Sequence, residues 1–254
     1  MRIALWVLGI STIIYLAICA ALFWWQRSLI YFPQPRSISG PANTLILKTA
    51  DAELVVTVRH HDGPKALIYF GGNGQDVSAS LPSFDQAFPD RAIYMLHYRA
   101  FGGSTGSSTE ENIAQDALAL FDRVRAKHAD ITLAGRSLGS GVAIRLASQR
   151  PVSRLALITP YNSIEEIAAG QFPYIPVRWL LKDKFESWRY AKNIRVPTLL
   201  LAAEADEMIP AASTQRLLTN FAPGIARLVV LQGEGHNTLS ENRQYLEALR
   251  AALP

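Results

Sequence analysis

The sequence predicts an α/β domain, with a mostly parallel sheet of about eight strands and helices on both faces, behind one N-terminal apolar helix. Three observations carry that prediction. Short apolar runs alternate with helical stretches from residue 66 onward, the pattern of parallel βαβ units. Runs such as residues 66–70 are apolar without alternation, as in strands covered on both faces. Residues 3–25 contain no formal charge.

Those residues are long enough as a helix, at about 34 Å, to cross a hydrocarbon core. Arg2 and Arg27 bracket the run, and Trp24, Trp25 and Tyr31 cluster at its far end like interface aromatics. A buried core helix of that length would show a polar stripe. A cleaved signal peptide is the rival reading, but no small-x-small site ends the run, and Ile18 spoils a lipoprotein box at Cys19. The expectation is a single-pass anchor over residues 1–27, in contact with membrane lipid. The charges on its two sides nearly balance, so the side is open, with the extracytoplasmic one preferred.

Residues 28–43, with Pro33, Pro35 and Pro41, read as a linker. The folded domain then runs from 44 to 254. Residues 45–48 and 54–58 read as an antiparallel edge hairpin. Strand 66–70 runs into Gly71-Gly72-Asn73-Gly74, and strand 92–97 into a second glycine-bearing loop, 98–104. A helix over 110–128 places Ile113, Ala117, Leu120, Phe121 and Val124 on one face. Strand 131–134 precedes Ser137, and strand 154–159 stops at Pro160. Residues 160–195 mix prolines, aromatics and short helical pieces, which reads as a small cap insert. Strand 198–203, helix 211–220, strand 226–231 and helix 241–252 complete the chain.

Composition narrows the function. The 254 residues carry a net charge of +4, with no basic cluster interleaved with aromatics, so nucleic acid is not an expected partner. The only cysteine, Cys19, lies in the apolar run, which leaves the domain without a disulfide or a thiol ligand.

Gly135-Arg136-Ser137-Leu138-Gly139, between a strand and a helix, fits a nucleophile elbow, the sharp turn that lifts a serine hydroxyl above a sheet edge. An ordinary βα turn has the same composition, so the partners decide. A serine needs a base, and the base an orienting acid. Of the five histidines, His60 and His61 lie in a turn, His97 at a strand end and His128 near a helix end. His236 is the one that follows Ser137, as the order nucleophile–acid–histidine demands. The loop after strand 198–203 offers Glu204, Asp206 and Glu207, with Asp206 best placed by Asp206-Glu207-Met208-Ile209-Pro210.

These segments, with Leu29-Ile30-Tyr31-Phe32-Pro33, Tyr98-Arg99-Ala100-Phe101-Gly102-Gly103-Ser104 and Gly235-His236-Asn237, resemble the serine α/β-hydrolases, and within them the BEM46-like group and its bacterial relatives. The resemblance implies the α/β-hydrolase fold with Ser137 as nucleophile, Asp206 as acid and His236 as base. It places the oxyanion amides on Asn73 and Leu138, and it implies no metal or organic cofactor. Gly71 stands where the family has a loop-bracing histidine, and Ala100 and Phe101 depart from the family's loop. Arg136 is expected to brace neighbouring loops.

The expected chemistry is hydrolysis of carboxylic esters or thioesters, of acyl or lipid-like substrates. Phe101, Phe172, Tyr174 and Trp179 are the candidate substrate contacts. A serine peptidase and a non-catalytic binding protein on the same fold are the alternatives. The sequence leaves oligomeric state open.

Overall fold

The computed structural model describes residues 1–254. Helix α1 spans Arg2–Ile30 and buries only Cys19 and Gln26. It is the one helix long and apolar enough to cross a membrane, and its exposure separates it from a core helix. The helix continues past Arg27 to Ile30, so the expected linker begins later than position 28.

The eight strands are β1 (Thr44–Lys48), β2 (Glu53–Arg59), β3 (Lys65–Phe70), β4 (Ala92–Leu96), β5 (Asp130–Arg136), β6 (Arg154–Ile158), β7 (Thr198–Ala203) and β8 (Ala226–Leu231). They form one sheet in the order β1-β2-β4-β3-β5-β6-β7-β8. β1 pairs with β2, and β2 with β4, antiparallel. The other neighbours are parallel. Phe70 sits opposite Gly135, Arg136 opposite Ile158, and Ile158 opposite Leu201, so the carboxyl ends of the central strands share one rim.

The chain leaves β3 for β4 on one side and returns to β5 on the other. That reversal is the topological switch point where open α/β sheets place their sites. Alternating side chains of β3 feed two cores: Ala66, Ile68 and Phe70 face one layer, Leu67 and Tyr69 the other. Helices α3 (Glu110–Arg125) and α4 (Leu138–Ala147) cover the first. The second is covered by α2 (Leu81–Ala87), which lacks a clear periodic signal, and by the C-terminal helix.

Thr109 caps α3 by accepting the Asn112 amide, and Glu110 and Glu111 complement its N-terminal dipole. Between β6 and β7 the cap insert forms α5 (Ile164–Gln171), α6 (Val177–Leu180) and α7 (Ser187–Ala191). Helix α8 (Ala211–Thr219) precedes β8, and α9 (Arg243–Ala252) closes the chain with Tyr245 and Leu249 inward.

Residues after α1 are strapped to the domain. Phe32 N–H donates to Asn73 Oδ1 (2.9 Å), Gly102 N–H to Gln34 O (2.9 Å), and Ser37 N–H to Asp76 Oδ2 (2.7 Å). Across the sheet, Arg99 holds the 98–104 loop. Its guanidinium donates to buried Asp116 from Nε and Nη2 (2.9 Å each) and to Asp51 of the β1–β2 turn from Nη1 and Nη2 (2.7 and 2.9 Å).

Candidate active site

Ser137 sits between β5 and α4 with φ 49° and ψ −119°. A side chain with a Cβ is strained at positive φ, and such strain persists where the surroundings fix the turn. Here Ser137 N–H donates to Ile158 O of β6 (2.9 Å), and Ser140 N–H returns to Ser137 O (2.8 Å). The flanking glycines have a steric reason. A Cβ on Gly135 would strike the Gly139 carbonyl, and one on Gly139 would strike the carbonyl of Phe70. Helix α4 therefore packs its first turn directly on β5 and β3.

His236 reaches Ser137 from the loop after β8. Its Nε2 lies 3.1 Å from Ser137 Oγ, and its Nδ1 lies 3.0 and 2.9 Å from the two carboxylate oxygens of Asp206. Asp206 follows β7, and its Oδ1 also accepts the amides of Met208 (2.9 Å) and Ile209 (2.7 Å). The turn that Pro210 ends thus fixes the carboxylate before it meets the histidine. The side chains of His236 and Asp206 are both buried. With Asp206 accepting at Nδ1, the neutral imidazole carries its proton there, and Nε2 is left to accept from Ser137.

Two further side chains hold the histidine loop. Arg136 Nη2 donates to His236 O (3.0 Å), the bracing expected of it, and Glu207 Oε2 accepts His236 N–H (3.1 Å). Backbone amides, its own and that of His236, hold the Glu207 carboxyl below its ordinary range. Glu207 carries no sequence signal separate from its neighbour Asp206.

The loop after β3 supplies the other wall. The missing side chain of Gly72 faces Ser137, with a Cβ there falling 3.4 Å from Ser137 Cβ. Gln75 Oε1 accepts Gly72 N–H (2.8 Å) and the Tyr69 hydroxyl (3.1 Å), while the Tyr98 hydroxyl donates to Gly71 O (2.8 Å). Burial pushes both phenols above their ordinary pKa and keeps them as donors. These contacts fix the Gly71–Gly72 backbone. The Asn73 amide donates to no protein group. Leu138 N–H is the first amide of α4, one of those that have no intrahelical acceptor.

The other predicted positions divide. Phe101 is only 2% exposed and packs edge-on to Tyr98 in the core, so it is withdrawn from any open cleft. The cause is the loop itself. Ala100, Gly102 and Gly103 all take positive φ, which folds the chain inward around Phe101. Phe172 lines a groove between the cap and α1. Tyr174 and Trp179 are 87% and 83% exposed on the outer surface of the cap. His97 and His128 are buried elsewhere. His97 pairs with Thr57 Oγ1 (2.8 Å), and His128 lies between the Tyr94 hydroxyl (3.0 Å) and Gly63 O (2.9 Å).

No family model matches the chain. It is 30% identical over 254 residues to the uncharacterised protein Rv2307c of Mycobacterium tuberculosis, covering 91% of this chain and 89% of that protein. Protein bem46 of Schizosaccharomyces pombe is 28% identical over 220 residues, 74% of this chain and 72% of its own. Among solved structures, an esterase of Pyrococcus furiosus superposes with a TM-score of 0.69 at 16% identity, covering 88% of this chain and 96% of that one. The chain belongs to the same family as Rv2307c, a family of the α/β-hydrolase fold to which bem46 is a more distant relative.

Proposed function

We propose that this chain is a membrane-anchored serine hydrolase that cleaves carboxylic ester or thioester bonds of acyl or lipid-like substrates. The observation that carries the proposal is the unbroken hydrogen-bonded line from Ser137 Oγ through His236 to Asp206, at the switch point of the sheet.

In this reading His236 Nε2 takes the Ser137 hydroxyl proton as Oγ attacks the substrate carbonyl. The carbonyl oxygen becomes an oxyanion and receives the amides of Asn73 and Leu138, at the positive end of α4. One such donor is typically worth about 3 kcal/mol of transition-state stabilisation. His236 then returns its proton to the departing alkoxide or thiolate. Water, deprotonated by the same Nε2, cleaves the acyl-serine, and the proton goes back to Oγ. Asp206 keeps the imidazole in the required tautomer and balances its charge while it is protonated.

The test is hydrolysis of p-nitrophenyl esters of two to sixteen carbons by the full chain in detergent micelles, beside Ser137→Ala. Serine-dependent turnover that rises with chain length is expected. Equal inertness of both proteins across the series, and against thioester analogues, would overturn the reading.

A further inference from the structure

Helix α1 does not simply lead away from the domain. Its last turns lie against the cap. Gln26 is buried there, donating from Nε2 to Leu180 O (3.0 Å) and accepting Lys182 N–H at Oε1 (2.7 Å). Arg27 Nε and the Tyr31 hydroxyl both donate to Asp183 (3.1 Å each), and the Lys182 ammonium sits 4.0 Å from the centre of the Phe23 ring. Farther down, the Tyr15 hydroxyl donates to Tyr174 O (2.9 Å). Tyr15 lies eleven residues before Gln26, so the cap follows α1 for about 16 Å toward its N-terminal end. The exposed rings of Tyr174 and Trp179 travel with it.

Between helix and cap runs a groove of about 170 Å³, with 11 of its 13 lining residues hydrophobic. Leu22, Leu29 and Ile30 form one wall, and Ile164, Ile167 and Phe172 the other. We propose that this groove receives the acyl chain of a monoacyl lipid ester drawn from the bilayer, with its carbonyl presented to Ser137. The proposal rests on the serine-hydrolase reading above and names its substrate class.

Three features select that occupant. One wall belongs to the last turns of the helix that has the length and composition to cross a membrane, so the groove lies where that helix meets the membrane surface. An acyl chain drawn up along the apolar face of α1 enters it directly. The other end lies toward the loop that follows β3. Ile30 lines the groove, and Phe32, within about 7 Å along the chain, donates its amide to Asn73 beside the nucleophile. The volume is that of one chain segment. An apolar cavity of about 150 Å³ accepts a benzene ring, so the groove holds a short run of methylenes and excludes a second chain. The rest of the acyl chain continues along α1 into the bilayer.

The test uses the full chain in phosphatidylcholine vesicles. The probe is a lysophosphatidylcholine with a sixteen-carbon chain carrying a diazirine, added to Ser137→Ala so that it is not consumed. Photo-adducts concentrated on peptides from residues 22–30 and 164–181 are expected. Adducts confined to residues 3–18, the lipid-facing part of α1, would overturn the groove. A second arm needs no cross-link. Ile167→Trp narrows the groove by about two methylenes and should lower the ratio of lysophosphatidylcholine to p-nitrophenyl butyrate turnover about tenfold. An unchanged ratio overturns the proposal, as does a palmitoyl-thioester peptide cleaved faster than the lysolipid. Butyrate hydrolysis that survives Ser137→Ala refutes the hydrolase reading itself, whereas serine-dependent hydrolysis with an unlabelled groove refutes only the groove.

Discussion

Replacing Asp206 by Asn changes no volume, yet the local hydrogen bonds dictate which way the amide must point. Oδ1 of Asp206 accepts two turn amides, from Met208 and Ile209 at 2.9 and 2.7 Å. Only oxygen can fill that place. The NH₂ of the new residue therefore takes the position of Oδ2, 2.9 Å from His236 Nδ1. A donor there repels the Nδ1 proton, and Oδ1, 3.0 Å from Nδ1, is already taken up by the two amides, so the imidazole proton moves to Nε2, the atom proposed to take the proton of Ser137. On the proposed mechanism Ser137 then loses its base while the structure stays in place. The analogous change in a serine protease lowers kcat about 10⁴-fold, which corresponds to about 5 kcal/mol of barrier. The assay is steady-state hydrolysis of p-nitrophenyl butyrate by the full chain in micelles, with an unchanged near-ultraviolet dichroism spectrum as the check on folding. KM should move little. A loss of kcat below tenfold would refute the tautomer argument and with it the role assigned to Asp206.

Three other expectations rest on separate parts of the structure. Burial holds the His97 pKa down at about 4, against an ordinary value of 6.5. The unfolded chain therefore binds the proton first, and His97 contributes stability that is complete above pH 6.5 and is lost as pH falls toward 4. Chemical denaturation should show about 2 kcal/mol lost between pH 7 and pH 5, and His97→Gln should remove that part of the slope; equal slopes would refute it. Arg99→Ala strands Asp116 buried without its cation and should cost about 3–5 kcal/mol in the same measurement, whereas a cost below 1 kcal/mol, the range of an exposed pair, would contradict the buried network. Gln75→Ala frees the Gly72 amide and loosens the wall opposite Ser137. It should lower kcat more than it raises KM, and an effect on KM alone would show that the loop only binds substrate.

The strands and the three candidate catalytic residues were legible because each has a local signature. Ser137 lies in a glycine-flanked strand-to-helix turn, and Asp206 and His236 end consecutive strands in a fixed order. Helix α2 escaped because its seven residues are too few to show a period, and Pro82 inside its first turn reads as a breaker. Phe101 was misplaced because an aromatic in a glycine loop gives no sign of which way the loop folds. Three positive φ angles, known only from the structure, turn it into the core. Gln75 and Glu207 were missed for a different reason. Each acts by accepting a backbone amide, of Gly72 and of His236, and any polar residue in a turn looks the same in sequence. The packing of α1 on the cap was equally hidden. An uninterrupted apolar run shows that a helix can enter lipid, but Gln26 is the single polar residue whose burial ties it to residues more than 150 positions away.

Activation of Ser137 by His236 can be read covalently. The full chain in micelles is treated with a fluorophosphonate and digested, and the adduct is located by peptide mass spectrometry. A single stoichiometric adduct on Ser137 is expected, formed at least a hundredfold more slowly in Asp206→Asn because the same base must take the proton. An adduct on another residue, or none on a folded chain that hydrolyses esters, would contradict it.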